Sequence, residues 1–445
     1  MKNKLKIILT LFMVSLILPI WAQHGRIEFS EFKLDNGLHV ILHQDNSTPN
    51  VIVSLMYHVG SKNELPNRTG FAHFFEHLMF EGTANIPRGQ FTRYVEEAGG
   101  SLNAFTSNDV TYYYVMLPSN QLELGLWLES ERLMHANVDS VGITTQKGVV
   151  IEEKKQSYDN RPYGSILIEI QKRAFTQHPY RWTTIGDADH IREAKNEEFK
   201  EFHRMFYVPD NAVLVVAGDI SPADTKTLVE KYFGDIPAGT AEIRRPASVE
   251  PKRTQELRDT IYDNIQLPAV IQAYHIPAKG TRDYYAVEML GYLLSQGESS
   301  RMYRTLVDEK RLALQVMAIP LAMEHPGLNL IFGIPQIGTD PRVLEEAIDK
   351  ELARVREEMI SEHELEKLKN QFENRIVNSN TTIASRSQNL AENYTYFKNP
   401  DRINSTLREY LSVTREDIQR AAREYFREDN RVVLYYLPKN QNSLN

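Results

Sequence analysis

Two imidazoles and a carboxylate fall within five residues of this chain, His73-Phe74-Phe75-Glu76-His77. At roughly 100° per residue, with His73 at zero, His77 falls at about 40° and Glu76 at about −60°, so one helical face carries all three. Phe71, Phe74, Phe75, Leu78 and Met79 take the opposite side, giving an apolar back and a polar front. Two neutral imidazoles one turn apart can share a zinc ion, and a neighbouring carboxylate can take a proton from water activated there. With 13 His in 445 residues, the H-x-x-E-H pattern arises by chance in roughly 0.03 chains.

The Glu stands beside the second histidine, the inverzincin order rather than that of H-E-x-x-H enzymes. A catalytic zinc needs a third protein ligand and one open position. The chain has no Cys, so that ligand must be His, Asp or Glu.

The elements around the motif follow from periodicity. Leu38–Leu42 and Val51–Tyr57 alternate as strands, and Thr69 is the expected N-cap of the motif helix. Gly99 to Phe105 reads as a turn entering a strand, and Thr111 to Met116 as the strand that returns. Gln121–Met134 and Thr144–Ala174 carry a helical period, and Val213–Asp219 is a buried strand followed by a helix through Tyr232. Residues 237–255, rich in Pro, Ala, Arg and Glu, read as a linker. Beyond it the pattern repeats weakly. Ala273–Pro277 echoes Met56–Gly60, and each precedes a helix after a polar loop, but Tyr284–Leu294 lacks the H-x-x-E-H. Helical stretches over Pro341–Asn378 and Ile403–Phe426 and a strand at Val432–Leu437 complete the chain. The expectation is α+β, with a zinc-binding domain over 24–236 and a metal-free relative of it over 256–440. Each would be a mainly antiparallel sheet with helices on one face.

Lys2, Lys4 and Lys6 precede an apolar run from Ile7 to Ala22, which reads as a signal peptide over residues 1–22. The run is short against the ~20 residues of a comfortable span. An exported chain without Cys suits a bacterial periplasm, with secretion beyond it or an uncleaved anchor as the other outcomes. A net charge of −8 with no basic block argues against a nucleic-acid partner.

The block from His58 through Thr83 resembles the pitrilysin/insulinase family of zinc peptidases, in particular half-length bacterial members similar to mitochondrial processing peptidase. Ser101–Ser107, Val149–Glu153, His178-Pro179-Tyr180 and Leu214–Gly234 extend the resemblance along nearly the whole mature chain. It implies one Zn²⁺ per chain and a third ligand 76 residues (153 − 77) past the second histidine, at Glu153. Glu152 is then a neighbour or a supporting group behind the ligands. Gln146 stands where many relatives carry a Glu, and its amide can still orient a ligand or a water. The resemblance also implies that Asn103, Ala104, Phe105 and Thr106 form an edge strand on which an extended peptide lies, with Asn103 holding its backbone. His58 and His178 read as structural.

Relatives carry an Arg and a Tyr in the second half that hold substrate and oxyanion. Here those positions are Val307 and Leu314, and neither donates a hydrogen bond. Either a zinc-lacking homologous subunit supplies the donors, the favoured reading, or the chain works with Glu76 and zinc alone, otherwise as a homodimer. The expected function is a zinc endopeptidase acting on oligopeptides or unfolded chains. The alternative is a non-catalytic binding or assembly subunit on the same fold. A zinc lyase with this motif order relies on a Cys that is absent.

Overall fold

The structure, a computed structural model, describes residues 25–247 and 249–439, and the expected signal peptide lies outside them. The first sheet is built from β1 (Ser30–Lys33), β2 (His39–Gln44), β3 (Asn50–Tyr57), β4 (Ser101–Thr106), β5 (Thr111–Pro118) and β6 (Ala212–Gly218), in the order β1-β2-β6-β3-β5-β4. The second holds β7 (Leu257–Asp263), β8 (Ala269–Ile276), β9 (Ala313–Leu321), β10 (Gly327–Pro335) and β11 (Arg431–Pro438), in the order β7-β11-β8-β10-β9. Writing β7 to β11 for β2 to β6 turns the first order, without β1, into the second. One pair in each sheet is parallel, β2 with β6 and β7 with β11, and the other pairs are antiparallel. The fold is α+β, and the faint echo in sequence is a repeat of topology.

Every residue of β6 is buried, as a strand covered on both faces must be. On one face, Val40, Leu42, Val53 and Leu55 pack under the first half's own helices, through Phe74, Phe75 and Leu126. On the other, Ile41, Met56, Val213 and Val215 meet Leu390 and Ala391 of the helix Ile383–Phe397, which comes from the second half. The exchange is mutual. Ile170 and Ala174 of the helix Ile166–Ala174 pack on Ile271, Ala273, Leu330 and Leu434 of the second sheet. Each half therefore keeps its own helices on one face of its sheet and borrows a helix for the other.

Three periodic stretches are broken where sequence periodicity ran on. Thr144–Ala174 divides into a helix Ser140–Lys154, a π-helical turn Lys155–Asp159 and the helix Ile166–Ala174. Pro341–Asn378 divides before a capping box in which the Ser361 side chain accepts the Glu364 N–H. Ile403–Phe426 divides before a second box at Thr414 and Asp417. In the last two, caps too short to disturb a hydrophobic period set the boundary. The described residues of 237–255 form no helix or strand, yet they are tied down: Arg244 donates to the Asn63 carbonyl, and the Glu250 carboxylate accepts the Thr176, Gln177 and His178 amides.

Candidate metal centre

The motif helix runs Phe71–Leu78, and its apolar back is held by an aromatic stack. Phe71 lies over Phe199 with ring centroids 4.5 Å apart, and Phe75 over Phe202 at 5.6 Å. The N-cap is Gly70 rather than Thr69, with φ 93°. Only glycine takes this conformation without strain, and a Cβ there would meet the Ile185 carbonyl at 3.0 Å. The Thr69 hydroxyl instead contacts His190 Nδ1 at 2.9 Å and accepts the Asp187 N–H. The capping acceptor comes from farther back. The buried Glu64 carboxylate takes the Gly70 and Ala72 N–H groups, each at 2.9 Å, and burial pushes its pKa up to about 8.

On the polar front, His73 Nε2 and His77 Nε2 lie 3.3 Å apart. Glu153, near the end of the helix Ser140–Lys154, places Oε2 3.2 Å from His77 Nε2 and Oε1 3.6 Å from His73 Nε2. Bonds of ~2.0–2.1 Å at tetrahedral angles set ligand atoms about 3.3 Å apart, so the three contacts match three edges of a zinc polyhedron. Burial pulls His73 down to about 4, partly offset by the Glu153 charge, so its imidazole is neutral near pH 7. The hydrogen bond from His77 holds Glu153 below the usual carboxylate range against burial. Two imidazoles and an ionised carboxylate are the donor set that zinc accepts. Among the described residues, these three form the one such cluster of metal-ligating side chains.

Glu76 sits beside the cluster and faces Thr106 of β4. Burial raises its pKa, while the polar groups of Thr106 and the charge of His77 draw it down. β4 is an edge strand, so its outer side has no sheet partner. The Asn103 side chain accepts the Ala104 N–H at 2.9 Å, and the Phe105 ring packs on Tyr112 at 5.4 Å. Glu152 is not drawn into the site. One residue from Glu153 it points roughly 100° away, into solvent, bonded to Gln156 and Lys155. Gln146 donates to Glu81 Oε1 at 2.5 Å, and Glu81 pairs with Arg88 at 2.8 Å, tying the Glu153 helix to the segment just past the motif helix. His58 pairs with Glu324, and His178 accepts the Tyr180 N–H. Val307 packs against the second core, while Leu314 is exposed at the start of β9. Sequence reasoning passed over Glu64, since a lone Glu in a polar loop reads as solvated.

Family models match both halves: "Insulinase (Peptidase family M16)" over residues 39–188 and "Peptidase M16 inactive domain" over 194–372. The zinc protease PqqE of Helicobacter pylori is 31% identical over 437 residues, spanning 96% of this chain and 97% of that protein. The chain belongs to the insulinase family of peptidases, M16. The uncharacterized zinc protease YmxG of Bacillus subtilis is 25% identical over 91% of this chain and 97% of its own length. The crystal structure of a protease from Helicobacter pylori superposes with a TM-score of 0.88 at 28% identity, over 93% of this chain and all of that one. The periplasmic protease PqqL of Escherichia coli shares the fold with a TM-score of 0.75 at 19% identity, this chain covering 48% of it. No helix among the described residues is long and apolar enough to cross a membrane.

Proposed function

We propose that this chain is a zinc endopeptidase that cleaves extended oligopeptides or unfolded polypeptides, with Glu76 as its general base. The triangle of His73, His77 and Glu153, with edges of 3.2–3.6 Å, carries the proposal. Bound zinc supplies a Lewis acid that acidifies water and polarises the scissile carbonyl. Glu76 takes the proton of the attacking water and returns it to the leaving amine. Its half-buried setting and upward-shifted pKa suit a group that must both accept and release a proton. The substrate backbone pairs with the open edge of β4, where Asn103 to Thr106 run past Glu76. To admit it, the Asn103 side chain leaves the Ala104 N–H and turns to the peptide.

A second reading, a binding or assembly subunit, is favoured by one observation: Val307 and Leu314 bring no hydrogen-bond donor from the second half. Within the peptidase reading, the same observation supports a zinc-lacking homologous partner that supplies those donors, or else a homodimer. Export to a periplasm accords with the basic and apolar start of the chain and with the periplasmic relative. The test is hydrolysis of a quenched fluorescent peptide library by the purified chain, with zinc quantified in the same sample. Cleavage lost on Glu76→Gln establishes a self-sufficient peptidase. Zinc bound without cleavage, restored by no companion subunit, establishes the binding role.

A further inference from the structure

Lys62 is 2% exposed, and a buried ammonium is tolerated only among compensating charges. It lies on the loop that leads from β3 to the motif helix. Its Nζ donates to Asp109 Oδ1 at 2.8 Å and to the Glu324 carboxylate. Asp109 belongs to the turn between β4 and β5, and Glu324 to the turn between β9 and β10. Those turns occupy equivalent places in the two sheets and meet tip to tip. Asp109 Oδ2 accepts the Glu324 backbone N–H at 3.0 Å, and His58 Nε2 lies 2.7 Å from Glu324 Oε2. The Tyr180 hydroxyl donates to Asp109 at 2.5 Å and accepts the His325 N–H at 3.1 Å.

This network is continuous with both walls of the metal centre. Asp109 follows three residues after Thr106, which faces Glu76. Two residues past Lys62, Glu64 caps the motif helix. The carboxylate of the metal-free half thus reaches the helix start through Lys62, and through the same Lys62 it reaches Asp109 at the end of the substrate strand. We propose that Glu324 is a positioning residue for peptide cleavage: it fixes β4 and the motif helix relative to one another from the opposite half of the chain. The inference rests on the peptidase reading. It gives the metal-free half a task within the same chain, whether or not a second subunit is needed.

The experiment compares the mature wild-type chain with Glu324→Ala and Glu324→Gln. In Glu324→Ala, hydrogen exchange of the amides over 101–106 quickens by about tenfold while β2 keeps its protection. Peptide KM rises by about tenfold with kcat within about threefold, because the strand must now be ordered on binding. Zinc stays at one per chain. Glu324→Gln, which still accepts hydrogen bonds from Lys62 and His58, recovers most of the KM. Unchanged exchange and KM in a folded Glu324→Ala protein, with only a lower Tm, overturn the proposal and leave a structural tie. If the wild type cleaves nothing, alone or with a companion subunit, the peptidase reading fails instead, and the exchange measurement still reports whether the halves are coupled.

Discussion

The two halves of this chain share a strand order and part company at three helix positions. His73 and His77 are the third and seventh residues of the helix Phe71–Leu78. Tyr284 and Glu288 are the third and seventh of Arg282–Ser295. Glu153 is the fourteenth residue of Ser140–Lys154, and Arg375 is the fourteenth of Glu362–Asn378. In the first half these positions gather three side chains that could ligate a metal. In the second they hold a guanidinium against a carboxylate, with Arg375 Nη1 2.6 Å from Glu288 Oε1 and the Tyr410 hydroxyl donating to the same carboxylate. The counterpart of the candidate ligand cluster is filled by a fixed cation, beside a cavity of about 550 Å³.

The edge strands diverge as well. β4 offers an open edge. On β9 the Ala318 N–H is already given to Ser295 Oγ at 2.7 Å, and Pro320 has no N–H to give. Blocking of this kind is how sheets avoid unwanted strand partners. One repeat therefore keeps both a candidate ligand set and an open strand edge, and the other has closed both.

The comparison breaks first at the ligands. His77→Ala is expected to lose zinc and turnover together, measured by metal analysis beside peptide hydrolysis, and full zinc occupancy there would sink the ligand assignment. Glu76→Gln should keep its zinc and lose about 10²–10⁴-fold in kcat, the usual share of a general base. The tie between the halves comes next. Burial alone would raise Glu324, but the His58 hydrogen bond and the Lys62 charge bring it down to about 2. The folded state binds that proton more weakly than the unfolded one. Its stabilisation, about 3 kcal/mol, is complete above the ordinary value of 4.5 and fades as pH falls towards 2. Urea unfolding of wild type and Glu324→Gln across that window should converge at the acid end.

Arg375→Met tests the filled site. It strands the buried Glu288 carboxylate and should cost about 2 kcal/mol, less than the ~3–5 of a fully buried pair because Arg375 is 41% exposed. Zinc content should not move; a loss of zinc would mean the repeats are not independent sites. The smallest effect is at the closed edge. Ser295→Ala with Pro320→Thr frees two N–H groups on β9, costs about 1 kcal/mol, and should raise concentration-dependent association seen by light scattering.

Much of the site was legible because metal chemistry is strict about residue type and helical spacing: His73, Glu76 and His77 share a face by period alone. Strands β2, β3, β5, β6 and β11 were legible as apolar runs, and the repeat as the echo of Met56–Gly60 in Ala273–Pro277, whereas β1, β7, β9 and β10 were not read. What the chain could not disclose by itself depends on groups far apart in sequence. Glu153 reaches the histidines only because two helices pack side by side. Glu64, not Thr69, caps the motif helix because a loop folds back over its start. Central strands buried on both faces carry no alternation, so nothing local announced that each sheet borrows a helix from the other half. Residue type and spacing determined the chemistry available; which carboxylate meets the histidines, which edge is open and what clamps the halves were decided by packing.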